Sequence, residues 1–301
     1  MPVQVQIGFL FFLFAAGLIA RRRGWLTPPQ AGKMVQLVIT VGLPALFLSD
    51  VSRIPLHREL AALPTVAVIV MLLTLVTALL LGRAMHLARP SFGAFVICSM
   101  SINNAFLFPF IIAGWGKEAF AQLALFDLGN TVIQATVIYG VAAIFGGHAT
   151  GAGALLKRML SFPPLWALVV ALAINLGGWH LPPLATTVLG WTGRLILQLV
   201  VLALGVMFDA KLLGSRNVLG ALALRIVFGL AIGFACVEAF GLTGLTRSVL
   251  LLGSAAPIGF SAVVIASREH LDRELAASAA SLSVLLALVY VPLALWLLHQ
   301  P

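Results

Sequence analysis

Two apolar stretches of the chain each contain a proline flanked by amide or hydroxyl side chains. The residues concerned are Asn103, Asn104 and Pro109 in the first stretch and Ser254, Pro257 and Ser261 in the second. Because proline removes a backbone donor and clashes with the carbonyl four residues earlier, it breaks or kinks a helix. Two broken helices that cross would aim the N–H groups of their inner ends at one point, which suits a carboxylate. These six residues are therefore predicted to bind a substrate, and the amides also fit a role as caps of the broken helix.

A second polar group lies on one face of the next helix. Asp127, Asn130 and Gln134 follow one another at positions i, i+3 and i+7 inside an apolar run. A charge at the bilayer centre costs about 2.5–3.5 kcal/mol, so Asp127 is expected to face the protein interior. There it is either the carrier of a coupling proton or sodium ion, or a structural hydrogen-bond partner of the broken helix. These three residues are the predicted coupling group.

The composition decides the class of protein. Of the 301 residues, 61% are hydrophobic and 9% are charged, whereas a soluble domain carries about 25% charged residues. So few polar side chains cannot cover a water-facing globule, which excludes an ordinary soluble enzyme and a nucleic-acid-binding protein. We predict an all-α integral membrane protein, because the apolar runs are continuous rather than alternating as in a barrel. No nucleophile–base pair, nucleotide-binding loop or metal motif indicates an enzyme or a cofactor.

Ten apolar runs predict ten transmembrane helices. The runs cover residues 3–20, 34–48, 60–81, 92–113, 119–145, 164–176, 184–208, 218–240, 245–266 and 275–298. Twelve of the eighteen lysines and arginines lie in the loops that follow odd-numbered runs, and cytoplasmic loops are enriched in these residues. The sequence therefore predicts cytoplasmic odd-numbered loops and both termini on the outer side of a bacterial inner membrane.

The two halves of the chain resemble each other. Residues 103–124 and 254–276 share a proline within the run, a short charged turn and a new helix start. Since five helices per half is an odd number, the second half must insert upside down. Inverted repeats with two interrupted helices are typical of secondary transporters that bind substrate near the bilayer midplane. The prediction is a first repeat at 1–147, a cytoplasmic linker at 148–163 and a second repeat at 164–301.

Several segments, whose order and spacing span nearly the whole chain, resemble the auxin efflux carrier family. The segments are GLPALF (42–47), FDLGN (126–130), PPLWALVVALAINLGGWHLPP (163–183), LALGVMF (202–208) and SAAPIGFS (254–261). The resemblance implies the fold of bile-acid transporters and sodium/proton antiporters. It also implies transport of organic anions such as auxin, malate or malonate.

The resemblance assigns roles to the predicted helices. Helices 1, 2, 6 and 7 would form a scaffold, often dimeric, and helices 3–5 and 8–10 a transport domain that slides against it as an elevator. Helices 4 and 9 would cross, with Asn103 or Asn104 and Pro109 on one and Pro257 and Ser261 on the other. The expected partners are a small organic anion, membrane lipids and a second copy of the chain. Many members of the family have asparagine where this chain has Ser261.

Two other functions stay open from the sequence. A sodium-coupled bile-acid-type symporter would need cation sites behind the crossing, and the predicted coupling group supplies part of one. The other is a channel, or a membrane-embedded protein that binds its ligand without moving it. Two arginines inside runs are expected to extend to the membrane surfaces, Arg194 to the outer side and Arg225 to the cytoplasmic side.

Overall fold

The apolar runs fold as helices because, in hydrocarbon, backbone N–H and C=O groups must be satisfied without water. The computed structural model describes residues 3–55, 58–147, 151–209 and 214–298. Its α-helices are α1 (Val3–Arg22), α2 (Pro28–Leu37), α3 (Leu43–Asp50), α4 (Ala62–Ala84), α5 (Arg89–Met100), α6 (Asn104–Ile133), α7 (Tyr139–Gly146), α8 (Ala152–Leu160), α9 (Pro163–Leu176), α10 (Pro183–Met207), α11 (Arg216–Leu222), α12 (Gly229–Phe240), α13 (Gly244–Ser254), α14 (Ser261–Arg268) and α15 (Arg273–Leu297). Short π-helical turns join α2 to α3, α6 to α7 and α11 to α12.

Seven helical segments of the described chain are long and apolar enough to cross a bilayer. One of them, Asn104–Gly146, has 43 residues, about twice the length of a single crossing. Gly116 turns the chain within it at a φ of +81°, so α6 consists of two arms, residues 104–115 and 117–133. The protein is a multi-pass helical membrane protein. Its division into ten spans and two inverted repeats stays a prediction.

The helices pack in two groups. In the first group, α10 packs against α1, α2 and α3, and α9 packs against α3. In the second group, α6 packs against α4, α13 and α15, while α5 packs against α4, α7, α11 and α15. The helix α12 lies on α13 and α4 in the same group. The two groups meet where α6 contacts α1, α3 and α10.

The close approach of α1 and α10 depends on two glycines. A Cβ on Gly17 would lie 2.2 Å from the Leu202 carbonyl oxygen, and a Cβ on Gly205 would lie 2.2 Å from the Phe14 carbonyl oxygen. The two backbones touch here only because both side chains are missing. Helix contacts in membranes favour small residues, since packing rather than the hydrophobic effect holds the helices together.

The segment between the predicted repeats contains the short helix α8. Residues 148–150 of the predicted linker lie outside the described residues, and α9 begins at Pro163, one residue before the predicted boundary at 164. The Trp166 indole N–H donates to the Leu160 carbonyl oxygen at 2.7 Å. This bond ties the end of α8 to the first turn of α9.

We expect Gly17→Ala to lower the thermal stability of the detergent-solubilised protein, because the new methyl group would overlap the Leu202 carbonyl oxygen. Overpacking of this kind costs about 1–3 kcal/mol. Thermal unfolding followed by tryptophan fluorescence measures the effect. Gly8→Ala on the same helix is the control, since a Cβ there meets nothing within 4 Å. Equal unfolding midpoints for the two variants would contradict the contact.

Candidate functional site

Two unwound segments meet inside the second group of helices. Residues 101–103 separate α5 from α6, and residues 255–260 separate α13 from α14. Ile102 and Ile258 form an isolated antiparallel bridge between the two segments. Because the pairing is antiparallel, the first arm of α6 and the helix α14 leave the crossing in opposite directions.

Each unwound segment satisfies part of the backbone of the other. The Asn103 N–H donates to the Pro257 carbonyl oxygen at 2.9 Å, and the Gly259 N–H donates to the Ser101 carbonyl oxygen at 3.3 Å. A Cβ on Gly259 would lie 2.5 Å from the Ser101 hydroxyl oxygen, so glycine permits this approach. In hydrocarbon an unpaired backbone group costs several kcal/mol, and the mutual pairing is what lets both breaks persist.

A buried arginine completes the crossing. The Arg225 guanidinium, whose side chain is 0% exposed, donates to the carbonyl oxygens of Ala256 at 3.2 Å, Met100 at 3.5 Å and Ser254. Met100 and Ser254 are the last residues of α5 and α13, where a helix presents unpaired carbonyls and partial negative charge. The guanidinium supplies both the donors and the positive charge that these two ends lack.

The prediction that Arg225 extends to the cytoplasmic surface is therefore wrong. Arg225 lies nine residues into the segment that begins at Arg216, which is roughly 14 Å at 1.5 Å per residue. That depth is beyond the reach of an arginine side chain from the surface. A basic residue so deep in a run indicates a buried acceptor, and this signal was present in the sequence.

The helix α15 satisfies the rest of the second break. The Tyr290 hydroxyl donates to the Ala255 carbonyl oxygen at 2.5 Å. The Ser283 hydroxyl oxygen accepts from the Ile258 N–H at 3.0 Å. Two side chains of α15, together with Arg225, thus fix the conformation of the unwound segment.

The inner ends of α6 and α14 begin at the crossing. Asn103 caps α6, and its Oδ1 accepts from the Phe106 N–H at 3.2 Å. The hydroxyl oxygens of Ser101 and Ser261 lie 3.1 Å apart, and Ser261 is the first residue of α14. Each helix start carries N–H groups without helical partners and a partial positive charge. The cap role predicted for the amides is thus observed for Asn103.

Several polar atoms at the crossing are buried without a partner in the described part of the chain. They are Asn103 Nδ2, Asn104 Oδ1, Asn130 Oδ1 and Ser254 Oγ. Buried polar groups are nearly always hydrogen-bonded, so the Asn103 nitrogen can donate to a ligand, and the three oxygens can accept from a ligand or a proton, without losing a bond. Asn103 Nδ2 is a donor beside a helix start, which is what an anion requires.

Asp127 connects the crossing to the second arm of α6. Its Oδ1 accepts from Asn104 Nδ2 and from Asn130 Nδ2, each at 2.7 Å. The sequence predicted Asp127 and Asn130 on one face, and the structure brings them together. Gln134 begins the π-helical turn two helical turns further on, and no hydrogen bond joins it to Asp127 among the described residues.

The position of Pro109 differs from the prediction. The break in this run lies at residues 101–103, and Pro109 is inside the first arm of α6, about one and a half turns after the cap. A proline therefore marks the break at Pro257 but not at Pro109. The break before Pro109 is set by pairing with the second segment, which no local pattern reveals.

Pro109 lines a cavity between the two groups of helices. The cavity measures about 370 Å³ and is bounded by α1, the first arm of α6 and α10, with Arg194 and Gln198 among its lining residues. A smaller cavity of about 160 Å³ lies between the ends of α1 and α10 and the helices α14 and α15. We refer to them as the Arg194 cavity and the Arg21 cavity, after one lining residue of each.

Arg194 is paired rather than extended to the surface as predicted. Its Nη2 lies 3.4 Å from both carboxylate oxygens of Asp50, whose side chain is only 3% exposed. Asp50 was not singled out from the sequence, although a lone arginine within a run indicates a counter-charge on a neighbouring helix. At the Arg21 cavity, Arg21 and Asp209 form an ion pair at 3.7 Å.

The fold and the site define a multi-pass helical membrane protein with a buried polar crossing of two interrupted helices. Residues 151–296 match the model of a family described as membrane transport protein. An uncharacterized transporter of Methanothermobacter thermautotrophicus is 28% identical to this chain, and 93% of each chain is covered. An uncharacterized transporter of Methanocaldococcus jannaschii is 26% identical, with 99% of each chain covered.

The match over the second half of the chain and the two relatives named as transporters support the resemblance of the sequence to the auxin efflux carrier family. These comparisons support a membrane transporter rather than an enzyme.

We expect Arg225→Met to abolish recovery of folded protein or to lower its unfolding midpoint strongly. Three carbonyl oxygens would lose their donor, and each buried group left unpaired costs about 1–3 kcal/mol. Size-exclusion chromatography and thermal unfolding in detergent measure the effect. Arg247→Met is the control, because Arg247 is an exposed arginine in the first turn of α13. Similar behaviour of the two variants would contradict the role of Arg225.

Proposed function

We propose that the protein carries small organic anions across the membrane and that the carboxylate binds at the crossing of the two broken helices. The single observation that supports this most directly is Asn103 Nδ2, a buried donor at the start of α6 that has no partner among the described residues. A carboxylate at that point would accept from the amide and gain from the helix ends. Ser261 would contribute a hydroxyl from the start of α14, and Pro257 would hold the second segment open.

The remaining predicted site residues have supporting roles in this proposal. Asn104 joins the site to Asp127, and the Ser254 hydroxyl is a second unpaired group on the far side of the crossing. Pro109 belongs to the wall of the Arg194 cavity rather than to the crossing. We infer that this cavity gives the substrate access to the site.

An elevator-type movement is the mechanism that we propose. The first group of helices contains the predicted scaffold runs and the second contains the predicted transport runs, which supports movement of one group against the other. Two cavities lie between the groups, beside helices that leave the crossing in opposite directions. Alternate widening of the two cavities would expose the site to each side in turn.

Orientation and assembly are further parts of the proposal. We propose that both termini lie outside the inner membrane and that the odd-numbered loops are cytoplasmic, as the basic residues suggest. We also propose a homodimer through the first group of helices. Large apolar side chains exposed on its surface, among them Phe12, Trp191 and Leu195, would contact lipid or the second copy.

One observation favours the sodium-coupled symporter as a second candidate. Asn104 Oδ1 and Asn130 Oδ1 are unpaired acceptors on either side of Asp127. Oxygen atoms of this kind are the ligands that hard cations prefer. Replacement of sodium by choline in a transport assay separates the two functions.

The proposal is tested with purified protein in liposomes and radiolabelled malonate, malate and indole-3-acetate, each in turn. We expect saturable uptake of at least one of these carboxylates, together with counterflow against the same compound inside. Uptake that does not saturate, with single-channel currents, would indicate a channel. The absence of both flux and binding for all three compounds would overturn the proposal.

We expect Asn103→Asp to weaken anion binding by tenfold to a hundredfold, because the donor is lost and a negative charge is added. A hydrogen bond to a charged group contributes about 1.5–3 kcal/mol, and each 1.4 kcal/mol is about tenfold in affinity. The aspartate keeps an oxygen that can cap α6, so the unfolding midpoint should change little. Binding is measured by microscale thermophoresis with the same carboxylates.

Ser215→Asp is the matched control for this variant. Ser215 also caps a helix through its side chain, at the start of α11, and lies at the end of a span rather than at the crossing. A carboxylate at this cap should leave anion binding unchanged. Equal affinities of Asn103→Asp and wild type would place the substrate elsewhere.

A further inference from the structure

We propose that each anion crosses together with one proton carried on Asp127, so that the second group of helices keeps the same net buried charge with and without a monocarboxylate. This inference rests on the proposed anion transport and adds the coupling ion and its stoichiometry. It follows from the charges in that group and from the unpaired atoms around Asp127.

Two charged side chains lie deep in the second group of helices, one of each sign. Arg225 is the positive one, fixed by three carbonyl oxygens. Asp127 is the negative one, held by the amides of Asn104 and Asn130. Every other described charged residue of this group lies within about one turn of a helix end. The empty carrier with ionised Asp127 therefore has a buried net charge of zero.

A bound monocarboxylate changes this balance. With ionised Asp127 the loaded group would carry one net negative charge through a low-dielectric region, which is unfavourable. With protonated Asp127 the charge of the substrate is matched by Arg225, and the buried net charge returns to zero. One proton passes from water to a carboxylate oxygen of Asp127 and forms an O–H bond, and no bond of the substrate changes.

The two amides beside Asp127 offer acceptors for the hydrogen of a protonated Asp127. Asn104 Oδ1 and Asn130 Oδ1 are buried acceptors that have no donor within the described part of the chain, and both belong to amides that already contact Asp127. The hydroxyl of protonated Asp127 can donate to either one. A sodium ion would need a shell of several oxygens, whereas a proton needs a single acceptor.

Protonation also changes what Asn104 can offer the substrate. Ionised Asp127 holds Asn104 Nδ2 at 2.7 Å and repels an anion at the crossing. Neutral Asp127 is a weaker acceptor, so the Asn104 amide becomes available and the repulsion is removed. Proton binding and anion binding therefore favour each other, and the coupling is the same in both directions.

Several elements that pack against α6 carry titratable or charged groups. Among these groups and those of α6, Asp127 is the one that we propose takes up a proton when the anion binds. Arg194 and Asp50 pair with each other, and Tyr290 donates to Ala255. The other charged residues on those elements whose side chains the structure describes lie near helix ends, and they are Arg21, Arg22, Arg53, Arg83, Arg247, Arg273 and Glu274, with Lys117 and Glu118 beside the turn in α6 itself.

The decisive measurement is proton uptake on anion binding by the wild-type protein. Malonate, malate and indole-3-acetate are titrated by calorimetry in buffers of different ionisation enthalpy. We expect uptake of one proton per bound indole-3-acetate, the monocarboxylate of the three, where Asp127 is ionised. We also expect the dissociation constant to weaken tenfold for each pH unit over that range.

The variants assign the proton to its residue. Asp127→Asn should bind the same anion with no proton uptake and with no pH dependence, and in liposomes a pH gradient should no longer drive its accumulation. Glu238→Gln removes an exposed carboxylate near the end of α12 and should behave as wild type. If Asp127→Asn does not fold, the proton uptake of the wild-type protein and its pH range still decide whether anion binding is coupled to a proton.

The outcomes separate this inference from the function on which it rests. Anion binding or flux without proton uptake, or with a requirement for sodium, overturns the inference and leaves anion transport standing. Proton uptake that persists in Asp127→Asn also overturns it. If none of the three carboxylates binds or crosses, both proposals fail together. For indole-3-acetate, an uptake rate that does not change when a potassium diffusion potential is applied supports the proposed charge balance.

Discussion

The structure depends on one constraint, which is that backbone polar groups inside a membrane must be satisfied without water. Unbroken helices meet it within themselves. The two breaks meet it through each other, by the pairing of residues 101–103 with residues 255–260, and through the side chains of Arg225, Tyr290 and Ser283. The crossing is thus a closed network in which few donors or acceptors are free. The atoms that remain unpaired among the described residues are those where we propose that the ligand and the proton bind.

The sequence was sufficient for the features that depend on local chemistry. Continuous apolar runs predicted a helical membrane protein, which agrees with the structure. The family resemblance predicted a transporter, which the comparisons support. Spacing along one helix correctly placed Asp127 beside Asn130. A proline in an apolar run correctly marked the break at Pro257, since a missing donor acts within four residues.

The features that the sequence did not reveal depend on contacts between distant segments. The break before Pro109 exists because another part of the chain pairs with residues 101–103. From the sequence, Arg225 and Arg194 resemble arginines that extend to the membrane surface. In the fold, Arg225 donates to the carbonyls of two helix ends and Arg194 pairs with Asp50. An amide side chain offers a donor and an acceptor at once, so Asn103 and Asn104 could not be separated into cap and acid partner before the fold was known.

The turn at Gly116 places the proposed substrate donors and the buried acid on one continuous hairpin. Asn103 and Asn104 begin the first arm of α6, Asp127 lies in the second arm, and the Asn104–Asp127 bond joins residues 23 positions apart. In the proposed mechanism, recognition and coupling are therefore both encoded in one short stretch of sequence. Substitutions confined to that stretch can then change the substrate or the coupling ion. The surrounding helices can stay as they are.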